Sequence, residues 1–514
     1  MQIKGFIKRG EYFDSISLMI ATQKIKQTEG VADAAIMMGT PENKTILKNS
    51  GFFIDLFLDA EDPDLLVAVK VADDGMAQDI LQKIADLLND TGKKENRGTR
   101  GTGFTPRSLE GALAALPGAN LALVSVPGKY AAHEAMAALK KGLHVMIFSD
   151  NVPLEKEIEL KKYARQKGLL VMGPDCGTAI INGVPLAFAN VVNRGNIGIV
   201  AASGTGLQEV ACLISNHGGG ISQAIGAGGR DVKQEVGGIM FLSALEMLDQ
   251  DDQTKVILLV SKPPHPEVLA RIGQMVKGFS KPAAAVFLGA DAPEVEAYGI
   301  TAAPNLAAGA EKALALAGIH MVNSTDEMDL TALAQNITAK LHPTQKYLRA
   351  LFTGGTFCSE TQVILKGSPG LFSNAPIAGA QPLADVRESQ QHTVIDLGAD
   401  SFTVGKPHPM IDFSTRNLRI LQEARDPETA VILLDLVLGY GANLNPLAEL
   451  MPALVEVKAM ACSRHRELPV ICSVTGTDAD PQNRGLVVKS LREAGCIVCT
   501  SNAQAVKLCQ KVIR

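Results

Sequence analysis

The chain contains no tryptophan, and aromatic residues make up only 4% of it. A protein so poor in rings offers no platform on which unpaired bases could stack. A basic excess is missing too: 49 lysines and arginines face 54 aspartates and glutamates, for a net charge of -5. Without a cationic field or zinc-finger spacing, nucleic acid is not an expected partner. No stretch of eighteen uninterrupted apolar residues occurs, and the opening MQIKGFIKRGEYFDS carries charges where a signal peptide needs an apolar core. A cytoplasmic protein without membrane contact is expected. Metal-ligand clusters are lacking as well, because His265, His392 and His465 belong to no set of three or more His and Cys at ligand spacing. The eight cysteines, Cys176, Cys212, Cys358, Cys462, Cys472, Cys496, Cys499 and Cys509, are scattered. Cys496 and Cys499 form a formal C-x-x-C, but it lies in the apolar, strand-like run GCIVCTS. Redox and zinc pairs sit at turns or helix starts, so these two read as buried free thiols.

What is present points to a multidomain α/β protein. The 514 residues exceed a single hydrophobic core, and 46% hydrophobic residues with 48 glycines suit many tight strand-to-helix turns. Residues 1–90 alternate strand-like runs (IKGFI, DAAIMM, DLLVAVK) with helical patterns (SISLMIATQKIK, AQDILQKIADLL), which predicts a small α+β domain of ferredoxin-like size. Residues 91–106, inside the Gly-, Thr-, Lys- and Arg-rich NDTGKKENRGTRGTGFTPR, read as a linker. Between 107 and 192 the apolar strands NLALVSVP, HVMIFSD and LLVMGPD alternate with helices, the pattern of a parallel, Rossmann-like sheet. Two further flavodoxin-like units are expected at 193–320 and 347–514, joined by a connector at 321–346.

Those last two units repeat one order. NIGIVAASGTGLQEV, ISQAIGAGGRD and EMLDQDDQTKVILLVSK in the first answer to YLRALFTGGTFCSET, HTVIDLGADSF and EARDPETAVILLDLVLG in the second. Each has a strand entering a Ser/Thr and Gly turn before a helix, so two copies of one fold are predicted. Ligands of open parallel sheets sit beyond the carboxyl ends of strands, where helix N-termini attract anions. Ser203, Gly204, Thr205 and Gly206 hold that place in one copy, and Thr353, Gly354, Gly355 and Thr356 in the other. They are candidate phosphate-binding residues, although such turns also serve simply as helix caps. Further candidates are His408 in GKPHPMID as phosphate donor or acid-base group, Cys176 as nucleophile, Arg230 in GAGGRD as an anion clamp, and Lys262 in VSKPP as a counter-charge for the substrate. Each has a plainer alternative: a packed loop histidine, a small residue in a tight turn, a surface ion pair and a solvated lysine.

The run VPGKYAAHEAMAALKKGLHVMIFSDNVPLEKEIELKKYARQKGLLVMGPDCGTAIING, followed by RGNIGIVAASGTGLQEV, resembles the α subunit of succinyl-CoA synthetase and the NDP-forming acyl-CoA synthetases. Gly173-Pro174-Asp175-Cys176-Gly177 is similar to that family's G-P-N-C-x-G turn, which implies substrate binding by Asp175. Asp396-Leu397-Gly398 and DPETAVILLDLVLGYG resemble the ligase domain of the β subunit. The resemblance implies a CoA-binding-type domain at 107–192 and ligase-CoA-type domains at 193–320 and 347–514. FIKRGEYFDSISLMI, MMGTPENK, MGPDCGTAIING and VGKPHPMID together resemble the FdrA (AllF) family across essentially the whole chain. Membership implies one subunit of an oxamate carbamoyltransferase in purine (allantoin) catabolism, converting oxalurate and phosphate to oxamate and carbamoyl phosphate.

The ligase resemblance implies a phosphorylated histidine after the strand AAAVFLGADAP, where this chain reads EVEAYGITAAPNLAAGA without one. No ATP-grasp domain is evident either. The relay from ATP to an acyl phosphate therefore lacks donor and carrier. The expected ligand is phosphate or carbamoyl phosphate, with no certain cofactor, CoA as a possible one, and other subunits as partners. An acyl-CoA ligase component and a noncatalytic phosphate- or CoA-binding scaffold are the alternatives.

Overall fold

The computed structural model describes residues 2–10, 13, 15–26, 28–71, 78, 80–86, 106, 108–320, 329–377, 379–403 and 407–513. The chain forms two compact units, Met1–Ala119 with Phe402–Asp412, and Asn120–Ser401 with Phe413–Arg514. The linker reading at 91–105 and residues 321–328 of the connector lie outside the described residues.

In the first unit, β1 (Gln2–Lys8), β2 (Val31–Met38) and β3 (Leu65–Val71) make an antiparallel sheet in the order β1-β3-β2. The central strand reads LLVAVKV because both its faces are covered. Leu65, Val67, Val69 and Val71 pack with Leu18, Ala21, Ile25, Ile80 and Ile84, while Leu66 and Ala68 pack with Leu47, Phe52 and Phe57. The period of two thus sorts one apolar run between two cores.

The second unit opens with β4 (Leu121–Val124), β5 (His144–Ile147) and β6 (Val171–Met172), a parallel sheet flanked by the helices Gly128–Lys140 and Leu154–Gln166. A seven-stranded sheet follows from β7 (Thr178–Ile181), β8 (Val184–Ala187), β9 (Arg194–Ala201), β10 (Ile221–Gly226), β11 (Val256–Ser261), β12 (Ala283–Phe287) and β13 (Thr301–Ala302), ordered β13-β12-β11-β9-β10-β7-β8. The β7–β8 hairpin pairs antiparallel with β10, so this sheet starts ahead of the boundary expected at residue 193. The last sheet comprises β14 (Tyr347–Phe352), β15 (Leu371–Ser373), β16 (Gln381–Pro382), β17 (His392–Asp396), β18 (Thr429–Val437), β19 (Val470–Thr475) and β20 (Ile497–Cys499), ordered β16-β15-β17-β14-β18-β19-β20. The parallel series β10-β9-β11-β12-β13 and β17-β14-β18-β19-β20 have the same order, and the repeat read from the sequence is one of topology. Both are doubly wound 2-1-3-4-5 arrangements, whose ligand position lies at the carboxyl end of the first strand.

The two copies pack through their first helices, Gly204–Asn216 and Gly355–Ile364, and each carries a buried glutamate at the same turn. Glu360 Oε1 accepts the Leu306 N–H at 2.7 Å, at the start of the last helix of the other copy. Glu209 Oε1 accepts the equivalent Asn502 N–H at 3.4 Å, and Glu209 Oε2 takes the Thr475 hydroxyl at 2.5 Å. Asn502 Nδ2 also donates to Glu360 Oε2 at 2.7 Å. Each copy therefore caps a helix of its partner copy. Loss of hydration pushes the Glu360 carboxyl from 4.5 up to about 7, against its two donors, and raises Glu209 in the same way.

A folded-state pKa above the unfolded value means that folding retains a proton which the unfolded chain releases, so stability falls as pH rises from about 4.5 to 7. We expect Glu360→Gln to gain on the wild type across that window, by on the order of 3 kcal/mol at its upper end. Urea unfolding of both proteins at pH 5 and pH 8 checks this, and an unchanged difference between the two would contradict it.

Candidate anion site between paired helix starts

β9 delivers Ser203 as the N-cap of the Gly204–Asn216 helix, where its Oγ accepts the Gly206 N–H at 3.2 Å. β14 delivers Gly354 as the N-cap of the Gly355–Ile364 helix. The first turns meet: Ser203 Oγ and Thr356 Oγ1 are 2.7 Å apart. Gly206 permits this approach, because a Cβ there would stand 2.6 Å from Ser203 Oγ and 3.2 Å from Thr356 Cγ2. Gly204, Thr205 and Gly355 complete the paired turns. Two helix N-termini, each with partial positive charge and orphan N–H groups, thus converge across the copies.

Thr353 corrects the expected equivalence. It is buried, and both its N–H (2.9 Å) and its hydroxyl (2.5 Å) are donated to Asp435. Asp435 is a buried carboxylate beside Arg416, whose Nη1 donates to the Asp435 carbonyl at 2.6 Å. A buried carboxylate needs such donors, so Thr353 holds the strand end together and Thr356 takes the facing position.

Charged groups flank the turns. Lys262, at the end of β11, is exposed, and its charge acts on Asp396, at the end of β17. Asp396 was missed as a site residue, and its signal was a carboxylate in DLG at a strand end of the second copy. Its Oδ2 would lie 2.9 Å from a Cβ on Gly355, at the helix start. Desolvation lifts its carboxyl to about 6, against the Gly398 N–H and Lys262.

The Gly173–Gly177 turn, with a cis Gly173–Pro174 peptide, adjoins the first helix start: a Cβ on Gly204 would lie 3.9 Å from Gly177 Cα. Asp175 is exposed in left-handed backbone (φ 54°), and loss of hydration followed by Asp150 raises its carboxyl to about 6 while Arg230 opposes. Arg230 is engaged by the protein, its Nε pairing with Glu157 at 2.8 Å and its Nη2 donating to the Val152 carbonyl at 2.8 Å. Glu157 and Asp231 are neutralised by the buried Lys161 at 2.7 and 2.8 Å. The anion-clamp expectation for Arg230 is thus corrected to an ion pair that continues this buried network. Cys176 is corrected too. Burial drives its thiol up to about 12, and its Sγ faces the carbonyls of Thr178 and Gly226, so no thiolate forms near neutral pH.

His408 belongs to the first unit. Its Nδ1 accepts the Met410 N–H at 3.2 Å, and loss of hydration lowers its pKa to about 4. The imidazole is neutral at physiological pH, so it offers a ring N–H rather than the cation expected there. A surface groove of about 570 Å³ lined by Lys162, Arg165, Gln166, Val236, Ile239 and Arg271 shares no residue with the paired turns.

Three family models match the chain: "AllF, heavy metal-associated domain" over residues 1–104, "CoA binding domain" over 192–289 and "CoA-ligase" over 351–512. Over its full length the chain is 41% identical to YahF of Escherichia coli (strain K12), described as uncharacterized, covering 99% of that protein. The chain belongs to the FdrA/AllF family. This FdrA/AllF protein is also 31% identical, over 34% of its length, to the α subunit of the ADP-forming succinate–CoA ligase of Aquifex aeolicus (strain VF5), and spans 58% of that subunit. Among solved structures it is similar to a dinucleotide-forming acetyl-coenzyme A synthetase 1 of Ca. Korarchaeum cryptofilum, with 16% identity, a TM-score of 0.29 and coverage of 76% of this chain and 82% of that one. The FdrA/AllF protein has the succinyl-CoA-synthetase-like α/β fold with a small N-terminal domain. Residues 1–104 contain neither cysteine nor histidine, so the domain does not fit the thiophilic ion its description implies. Among the described residues no group of His, Cys, Asp and Glu could hold a metal ion, and no helix is long and apolar enough to cross a membrane.

A thiol reagent applied to the folded FdrA/AllF protein at pH 8 should modify the exposed Cys462 and leave Cys176 intact. Peptide mass mapping reads both sites, and rapid labelling of Cys176 would restore it as a nucleophile.

Proposed function

We propose that this chain is the subunit of an oxamate carbamoyltransferase that holds phosphate, or carbamoyl phosphate, at the paired helix starts. The observation that carries the reading is the 2.7 Å approach of Ser203 and Thr356 between two helix N-termini. In the direction of oxalurate cleavage a phosphate oxygen attacks the carbamoyl carbon, the C–N bond breaks, and the departing nitrogen takes up a proton to give oxamate. Phosphate must be desolvated and oriented for that attack. Backbone N–H groups and hydroxyls fixed in advance supply both without reorganisation. Full-length likeness to the FdrA/AllF family supports the assignment, and residues 294–310, where the ligases' phosphohistidine loop would fall, contain no histidine.

A second reading is favoured by the CoA-binding and CoA-ligase matches: a component of an acyl-CoA ligase, using the same anion site for an acyl phosphate. The curated relatives named as α subunits support assembly with other chains in either case.

Phosphate should raise the melting temperature of the isolated chain by binding the folded state alone. Ser203→Ala combined with Thr356→Val removes both junction hydroxyls. At about 1.5 to 3 kcal/mol for each hydrogen bond to a charged group, phosphate affinity should fall at least about a hundredfold. Loss of the Ser203 cap lowers stability by only about 1 kcal/mol, so the folded variant remains measurable by titration calorimetry. Unchanged phosphate affinity would place the anion elsewhere. With the partner chains added, oxalurate phosphorolysis supports the carbamoyltransferase, and CoA-dependent acyl phosphate turnover the ligase.

A further inference from the structure

We propose that Asp396 sets the specificity of this site, selecting an anion that carries an N–H donor beside it, as a carbamoyl phosphate does, over the alkyl acyl phosphate of the same shape. The inference rests on the reading of the paired helix starts as an anion site and names what the neighbouring wall recognises.

The peptide of Asp396 is held on both sides by one side chain. Its N–H donates to Asn374 Oδ1 at 2.9 Å, and its carbonyl accepts from Asn374 Nδ2 at 2.8 Å. Its carboxylate is presented asymmetrically. Oδ1 accepts the Gly398 N–H at 2.9 Å. Oδ2 points toward the helix start, where Gly355 leaves room that a Cβ would close to 2.9 Å. No described residue donates a hydrogen bond to Oδ2, and no ion pair within 4 Å joins Asp396 to Lys262. Asp396 is only partly buried, so water serves Oδ2 in the free protein, and a ligand that displaces that water must supply the donor in its place.

The charges around it explain why that ligand is also an anion. Lys262 comes from the first copy and Asp396 from the second, with Asp435 behind Asp396 and the neutral thiol of Cys358 on the same helix. Phosphoryl oxygens lie favourably against Lys262 and the two helix N-termini. The other end of the ligand meets Asp396 Oδ2. A second carboxylate there faces like charge, a methyl group leaves Oδ2 unpaired, and an amide NH2 pairs with it. A site built to hydrogen-bond an N–H rejects the analogue that lacks it far more strongly than an apolar pocket rejects a change of size.

Carbamoyl phosphate and acetyl phosphate differ only in NH2 against CH3, which isolates this contact. Titration calorimetry on the full chain, with inorganic phosphate as reference, should give at least about tenfold tighter binding of carbamoyl phosphate than of acetyl phosphate. In Asp396→Leu, which keeps the branching and removes both acceptor oxygens, and Asp396→Ala, which relieves any crowding, the ratio should fall below about threefold while inorganic phosphate binds as well or better. Two variants are used so that a folding defect in one leaves the other readable. Equal binding of the two acyl phosphates by the wild type, with phosphate still bound, overturns the role of Asp396 and leaves the anion site standing. A preference retained in both variants overturns it as well. Failure of all three anions to bind overturns the anion site itself, and this inference with it.

Discussion

The exchange of helix caps through Glu209 and Glu360 is the constraint on which the geometry of the second unit depends. Each glutamate lies one turn into the first helix of its copy and accepts a backbone N–H at the start of the other copy's last helix, and Glu360 also takes the Asn502 side-chain amide of its own copy. A helix N-terminus buried in an interface must find acceptors for its free N–H groups, and a buried carboxylate must find donors. The two needs are met reciprocally, which fixes the axial register of the Gly204–Asn216 and Gly355–Ile364 helices against each other. Once that register is set, the first turns of both helices arrive at one place, and Ser203 and Thr356 come within hydrogen-bonding distance. Asn502 sits between the two carboxyl groups with its Oδ1 buried and unpaired, an acceptor that a carboxyl proton at this interface would satisfy. The raised affinity of Glu360 for a proton fits that surplus of acceptors.

Much of this architecture was legible in the residues, because duplicated order survives where identity does not. Strands β9, β11, β14 and β18 are buried on both faces over most of their length and read as largely apolar runs. The Ser/Thr and Gly turns that follow β9 and β14 mark helix starts by composition alone. Thr353 was misjudged because its partner Asp435 lies eighty-two residues away in the chain, and nothing local distinguishes a hydroxyl facing solvent from one facing a buried carboxylate. Which of the two readings of Cys176 and of Arg230 holds was hidden for the same reason. The burial of the one and the pairing of the other with Glu157 arise only when the Leu154–Gln166 helix and the end of β10 come together. The boundary of the second sheet was hidden because the β7–β8 hairpin pairs antiparallel at an edge of parallel strands, where strand alternation carries no record of direction.

The copies are equivalent in topology and unequal in chemistry, and the inequality gives the junction between them its polarity. In the first copy a serine both caps its helix and faces the junction, while in the second a glycine caps and the threonine two residues on faces it. The spare threonine of the second copy, Thr353, is tied to Asp435, which the first copy replaces by Val260 at the corresponding strand position. The second copy therefore holds a buried carboxylate beneath its turn, with a second carboxylate, Asp396, at its rim. The first copy has Gly226 at the position of Asp396, and its β11, the counterpart of β18, leads into Lys262. Divergence has placed a cation on one side and a carboxylate on the other, a polarity that two helix N-termini alone, both positive, do not possess. On the proposed reading a ligand there is oriented end to end, with its anion toward the first copy and its N–H donor toward the second, which holds the carbonyl carbon between those ends for attack from outside its plane.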